Sequence, residues 1–254
     1  MNKATLNGLQ IAYERGGSGT PLVLIHGYPL DHTIWDAMVP LLEGNFDLIL
    51  PDLRGFGQSG TTTIPYSLDD MAADLAALLD VLKVKNAVVV GHSMGGYVAL
   101  AFARAYPERL LGLGLIASQP LADTPEKKAG RALEAEHVLA YGVAEVAEGM
   151  ATKLTADPAL HEKLKGLIYQ QRPEGVAGAL WAMAERPDSR DLLSNFEFPV
   201  AIIHGRADKI VPFERAREVM AAVKKGSLVE IEEVGHMPMM EAPQVTARAL
   251  TFLQ

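Results

Sequence analysis

A serine hydroxyl is a weak nucleophile at neutral pH, and it attacks a carbonyl usefully only with a base beside it and donors for the charge it creates. The chain sets Ser93 in Val88-Val89-Val90-Gly91-His92-Ser93-Met94-Gly95-Gly96-Tyr97-Val98-Ala99-Leu100. Three valines read as strand, the alanine-rich end reads as helix, and G-x-S-x-G between them is the sharp turn that lifts a serine above a sheet. Side chains two residues either side of the serine would collide with the neighbouring strand or helix, and glycine stands at both 91 and 95. The turn is expected to strain the Ser93 backbone and to leave the next N–H at a helix N-terminus, where developing negative charge is favoured. A glycine-rich connection without chemistry has the same local pattern, so the partners of Ser93 decide the matter.

Imidazole is the natural base for a serine. Among seven histidines, His137 and His161 fall in helical stretches, His32 in a loop, and His26, His92 and His204 at or beside strand ends. His236 differs, because Glu233-Val234-Gly235-His236-Met237-Pro238 follows the last predicted strand, on the carboxyl edge where open α/β sheets bind ligands. Asp208, in His204-Gly205-Arg206-Ala207-Asp208-Lys209-Ile210-Val211-Pro212, leaves the preceding strand on the same edge and can accept the Nδ1 proton of that imidazole. Taken singly, each is an ordinary turn residue or helix cap. Together, in the chain order Ser93, Asp208, His236, they form a candidate catalytic triad. The matching oxyanion donors are the backbone N–H groups of Met94, directly after the nucleophile, and of Tyr28 in His26-Gly27-Tyr28-Pro29. Loss of one such donor costs about 3 to 4 kcal/mol of transition-state stabilisation, and no side-chain deletion removes a backbone amide.

The elements that must position these groups are legible as an alternation of strand and helix. Residues 4–6 and 9–13 flank Asn7-Gly8, a type I′ turn, so an antiparallel hairpin opens the chain. Residues 16–19 read as a loop. Residues 22–25, 47–50, 88–90, 110–117, 200–204 and, as a short strand, 228–232 read as strands, those at 22–25 and 47–50 being apolar runs of the kind buried on both faces of a sheet. Met71, Leu75, Leu78, Leu79 and Leu82 recur at helical spacing over 68–84, with Asp69, Asp70 and Asp74 nearer the N-terminal end. Further helices are expected at 97–106, 214–223 and 243–250. Between 120 and 193 strand character is missing, and helices are expected at about 126–141, 143–154, 158–171 and 174–185, separated by Gly142, Asp157-Pro158 and Arg172-Pro173. The expected architecture is a mostly parallel, doubly wound α/β sheet, with a core over 1–118 and 194–254 and a helical cap inserted over 119–193.

Composition limits the partners. The chain has 254 residues, 49% of them hydrophobic, enough for one large domain with an insertion. A formal net charge of −8 disfavours nucleic acid and anionic membrane, which call for clustered Lys and Arg. With no cysteine, disulfides, thiol catalysis and thiolate metal sites are excluded. Met1-Asn2-Lys3-Ala4-Thr5 leads into no apolar leader, and no apolar run approaches the ~20 residues of a membrane span. The expectation is a cytoplasmic monomer or small homo-oligomer that needs no metal and no cofactor and takes a small-molecule ester.

On these residues the sequence resembles the α/β-hydrolase fold superfamily, and its serine carboxylesterase-like members, over nearly its whole length. The matching pieces are His26-Gly27-Tyr28-Pro29, the turn Asp52-x-Arg54-Gly55-x-Gly57-x-Ser59, Gly91-His92-Ser93-Met94-Gly95-Gly96, Gly205-x-x-Asp208 with Val211-Pro212, and Gly235-His236. The resemblance implies that Asp52 and Arg54 shape the site without catalysing, and that His26 and His92 pack against the elbow. Members with aspartate as nucleophile are dehalogenases and epoxide hydrolases, against which Ser93 argues. Carboxylesterases, enol-lactone hydrolases, cofactor-free perhydrolases and C–C bond hydrolases share these motifs. The reading is a carboxylesterase for short to medium acyl groups, with enol-lactone hydrolase as the alternative and a non-catalytic or slow-turnover ligand receptor of the same fold as a third. Leu139, Met150, Leu154, Trp181 and Met183 are candidates to line the pocket, with packing inside the cap as the plainer role. Arg131, Arg172 and Arg186 are available either to a substrate carboxylate or to solvated helix faces.

Overall fold

The computed structural model describes residues 1–62 and 65–254. Eight strands run in chain order as β1 (Asn2–Leu6), β2 (Leu9–Gly17), β3 (Thr20–Ile25), β4 (Phe46–Pro51), β5 (Ala87–His92), β6 (Leu110–Ile116), β7 (Val200–Gly205) and β8 (Gly226–Ile231). They form one sheet in the order β1-β2-β4-β3-β5-β6-β7-β8. β1–β2 and β2–β4 pair antiparallel and every later pair is parallel, so the carboxyl ends of β3 to β8 lie on one edge. β5 and β7, which deliver two of the candidate residues, are buried at every position.

The opening hairpin turns at Asn7 and Gly8, both with positive φ (49° and 79°), as its type I′ sequence requires. Gly16 and Gly17 are part of β2, where a loop was expected. They pair with Leu48 and Asp47 of β4, and a Cβ on Gly17 would come within 2.3 Å of Phe46 O, so glycine here lets the strand pass close to its neighbour.

The eleven α-helices among the described residues are α1 (Val39–Leu42), α2 (Leu68–Val81), α3 (Met94–Ala105), α4 (Pro125–Tyr141), α5 (Ala144–Leu154), α6 (Pro158–Tyr169), α7 (Pro173–Ala184), α8 (Arg190–Leu193), α9 (Glu214–Ala222), α10 (Pro238–Glu241) and α11 (Pro243–Leu250). Ser67 and Asp70 close a capping box at the start of α2, and Met71, Leu75, Leu78 and Leu79 are buried against the sheet. The helix stops before the expected residue 84 because Lys83 adopts a left-handed φ of 57° and Val84 N–H donates back to Leu79 O at 2.8 Å, a Schellman ending. Asp74 does not serve the helix N-terminus. It is buried and receives Arg54 Nε at 2.6 Å, Arg54 Nη2 at 2.8 Å and Asn7 Nδ2 at 2.9 Å.

Helices α4 to α8 all lie between β6 and β7. Their starts follow the breakers in the sequence: Thr124 caps α4, Asp157 caps α6, and Pro125, Pro158 and Pro173 open α4, α6 and α7. Among the described residues no helix is long and apolar enough to cross a membrane.

Candidate active site

Ser93 ends the β5 turn with φ 50° and ψ −113°, outside the regions an L-residue normally occupies, at a cost on the order of 1 to 3 kcal/mol. Neighbouring groups hold it there. Ser93 N–H donates to Ile116 O at 2.9 Å, and Ser93 O accepts from Gly96 N–H at 2.9 Å and Ser118 Oγ at 2.8 Å. The glycine pattern follows from close approach: a Cβ on Gly91 would sit 2.1 Å from Gly95 O, and one on Gly95 would sit 2.4 Å from Ile25 O.

Asp208 and His236 meet at the ends of β7 and β8. His236 Nδ1 lies 2.7 Å from Asp208 Oδ2, with both side chains buried. The carboxylate requires a proton on Nδ1, which leaves Nε2 as the basic nitrogen. Asp208 Oδ1 accepts from the amides of Ile210 (2.8 Å) and Val211 (3.0 Å). His204 Nε2 donates to Val211 O at 2.9 Å and stands 3.2 Å from Asp208 Oδ2. Burial alone would raise the pKa of the Asp208 carboxyl, yet the charge of His236 and hydrogen bonds from His204, His236 and the Val211 amide hold it well below the usual range.

His92 joins the His236 loop to the Ser93 turn. Its Nε2 donates to His236 O at 2.8 Å, and the two rings lie 4.9 Å apart, so His236 sits against the residue next to Ser93. Burial, reinforced by the neighbouring His236, pushes the His92 imidazole well below its ordinary value and keeps it neutral. Among the described residues no hydrogen bond joins Ser93 Oγ to His236, whose Nδ1 is taken by Asp208. Contacts between a nucleophile and its base tighten when substrate binds.

The loop that carries Tyr28 packs on the turn that carries Met94. A Cβ on Gly27 would come within 2.5 Å of His92 Nδ1, which shows how closely the β3 loop packs on the elbow. That loop is fixed by Leu30 N–H to Gly27 O (3.0 Å) and by His26, whose Nε2 accepts from Leu53 N–H at 2.9 Å and whose Nδ1 lies 3.0 Å from Gly27 O. Among the described residues neither the Tyr28 nor the Met94 N–H donates to a protein acceptor. Tyr28 Oη also donates to Glu134 Oε1 of α4 at 3.3 Å, linking this loop to the helical insertion.

The remaining residues singled out from the sequence have varied placements. Leu154 is fully buried at the end of α5, and its carbonyl accepts from His236 N–H at 2.9 Å. Met150 lines a cleft of about 280 Å³ with Glu134, His137 and Glu145. Met183 is buried and Trp181 half-buried on α7, whereas Leu139 is 47% exposed on α4. Arg186 belongs neither to a solvated face nor to a carboxylate pocket. It is buried, donates to Asp123 Oδ1 (2.8 Å), Leu121 O (2.9 Å) and Met183 O (2.8 Å), and lies 4.1 Å from the centre of the Tyr97 ring. Arg131 pairs with the same Asp123, and Arg172 donates to Gly57 O and Ser59 O, so both guanidinium groups are engaged by the protein.

Asp31, His32 and Asp52 present potential metal-ligand atoms within 4.8 Å of one another. Those atoms are committed to hydrogen bonds: Asp52 takes His32 Nδ1 (2.6 Å) and the amides of His32 (3.0 Å) and Gln58 (2.8 Å), while Asp31 takes Thr33 and Gln171. The cluster braces the turn after β4, the shaping role expected of Asp52. His92 packs on the elbow as expected and also holds the His236 loop through its hydrogen bond, whereas the Leu154 carbonyl and Glu241 are holders of that loop that sequence reading missed. The only sequence signal for the last is its place a few residues after Gly235-His236.

A doubly wound parallel sheet carrying a strained serine at one strand end, with a histidine and an aspartate on later ends, is the architecture of the α/β hydrolases. The chain belongs to the alpha/beta hydrolase fold family, whose model matches residues 20–243. It is similar to a thermophilic esterase from Thermogutta terrifontis, solved with malate bound, at 39% identity and a TM-score of 0.95, covering 98% of this chain and 96% of that one. A dihydrolipoyllysine-residue acetyltransferase component of an acetoin cleaving system from Pseudomonas putida is 34% identical over 257 residues, 95% of this chain but 66% of the relative, which is accordingly the longer protein. A pimeloyl-[acyl-carrier protein] methyl ester esterase from Aeromonas hydrophila is 28% identical over 247 residues, 93% of this chain and 96% of the relative.

Proposed function

We propose that the chain is a serine hydrolase that cleaves short- to medium-chain carboxylic esters through an acyl-enzyme, with Ser93 as nucleophile, His236 as base and Asp208 as its orienting acid. The observation that carries this reading is the buried 2.7 Å bond from His236 Nδ1 to Asp208 Oδ2, on a loop whose carbonyl is tied to the residue before Ser93. The esterases among the similar proteins support it.

In the proposed reaction His236 Nε2 takes the Ser93 proton as Oγ bonds to the ester carbonyl carbon. The Tyr28 and Met94 amides hold the resulting oxyanion. His236 then gives the proton to the departing alkoxide, and the acyl group stays on Ser93. Water, deprotonated by the same nitrogen as its oxygen bonds to the acyl carbon, displaces Ser93 Oγ, which takes that proton back from His236 as the acid leaves. Residues 119–193 form the cap in this scheme and set the acyl size that fits.

A series of p-nitrophenyl esters from short to long acyl chains, assayed with wild type and Ser93→Ala, tests the reading. Turnover should peak at short to medium acyl groups and vanish in the variant. Turnover that survives the substitution refutes the assignment.

A further inference from the structure

The loop carrying His236 is held by its backbone from several sides. Val234 O accepts from Ala207 N–H at 2.9 Å, tying this loop to the one that carries Asp208. His236 N–H donates to Leu154 O at 2.9 Å, and His236 O accepts from His92 Nε2 at 2.8 Å. The amides on either side of the histidine both go to one side chain: Gly235 N–H to Glu241 Oε2 and Met237 N–H to Glu241 Oε1, each at 3.0 Å. Glu241 closes α10, and its own N–H returns to Met237 O at 2.9 Å.

We propose that Glu241 is a positioning residue for the base, its two carboxylate oxygens gripping the amides that flank His236 and so fixing where the imidazole stands between Asp208 and Ser93. The inference rests on the triad reading. An imidazole reaches its partners through only two side-chain torsions, so a displacement of the loop by a fraction of an ångström carries Nε2 with it. A carboxylate suits the task because it offers two acceptors and makes charge-assisted bonds roughly twice as strong as neutral ones. Glutamine at 241 would keep one acceptor and turn an N–H₂ donor toward the other amide. Gly235 fits the same clamp: a Cβ there would lie 3.2 Å from Leu154 O and 3.3 and 3.4 Å from the Glu241 oxygens, so an added methyl presses on both holders.

The experiment compares wild type with Glu241→Gln, Glu241→Ala and Gly235→Ala. Active sites are counted by fluorophosphonate titration, kcat and KM are measured on p-nitrophenyl butyrate, Tm is recorded, and the His236 Nδ1 proton is followed as a low-field resonance. Glu241→Ala should lower kcat per titrated site by roughly ten- to a hundredfold at unchanged KM, with the Nδ1 resonance weakened, as expected for a small misplacement of a reacting group. Glu241→Gln and Gly235→Ala should fall between it and wild type, and they carry the comparison if Glu241→Ala does not fold. A lowered Tm with unchanged kcat per site, or a raised KM with kcat kept, overturns the proposal. If Ser93→Ala hydrolyses the ester as wild type does, the triad reading is what fails. The resonance then decides for Glu241: its loss in the variant supports the clamp, and its persistence overturns it.

Discussion

Oδ1 of Asp208 is taken up by the amides of Ile210 and Val211, which leaves Oδ2 to face His236 and His204. Replacement by asparagine keeps the shape but permits an amide N–H₂ to face Nδ1, which selects the wrong imidazole tautomer. Asp208→Asn should therefore reduce kcat by about 10⁴-fold in the ester assay, the size seen when a triad carboxylate is neutralised. A carboxyl held below its ordinary pKa contributes stability that is fully present above its unfolded value of about 4 and is lost as pH falls through its folded value. The Tm advantage of wild type over Asp208→Asn should thus be greatest near neutrality and shrink on acidification below pH ~4; an advantage that grows there contradicts the assignment. Ser93, Asp208 and His236 were legible in the sequence because each follows a strand with its own glycine marker. Glu241 carried no such marker, and the backbone hydrogen bonds of His92 and His204 were not legible, since a hydrogen bond to a backbone group leaves no compositional trace.

The helical insertion is fastened to the core by a few polar ties. Arg186, Asp123 and Arg131 join the two ends of the insertion, and Arg186 lies over Tyr97 of α3. Arg186→Met takes one of two guanidinium partners from buried Asp123, which keeps Arg131, so the cost is that of lost charge-assisted hydrogen bonds, about 1.5 to 3 kcal/mol. Arg186→Met should show a loss of that order in urea unfolding followed by circular dichroism, and a loss well under 1 kcal/mol would mean that the pair contributes little. The helices themselves were readable from Gly142, Pro158 and Pro173. The role of Arg186 was not, because its carboxylate partner is 63 residues away in the chain and a lone arginine on a helical pattern reads as solvated.

Across the molecule, the parallel core from β4 to β8 follows from apolar runs that end at glycine or proline, and the hairpin follows from Asn7-Gly8. The misplaced element was the strand end at Gly16 and Gly17, where glycines that usually mark a loop instead admit β2 beside β4. Backbone protection should reflect this order. In native-state hydrogen exchange, amides of β3, β5 and β6 should be slowest, and those of β1, which pairs only with β2 at the edge of the sheet and is largely exposed, should be fastest among the strands. Fast exchange in β5 would mean that the elbow is not anchored as its burial indicates. The central claim, that Ser93 attacks and His236 activates it, is tested most directly by incubating wild type and His236→Ala with a fluorophosphonate and mapping the adduct by peptide mass spectrometry. Wild type should carry one adduct per chain, on Ser93, with ester turnover lost in step, while the variant should label far more slowly. Full loss of turnover with Ser93 unmodified, or equal labelling of both proteins, would contradict it.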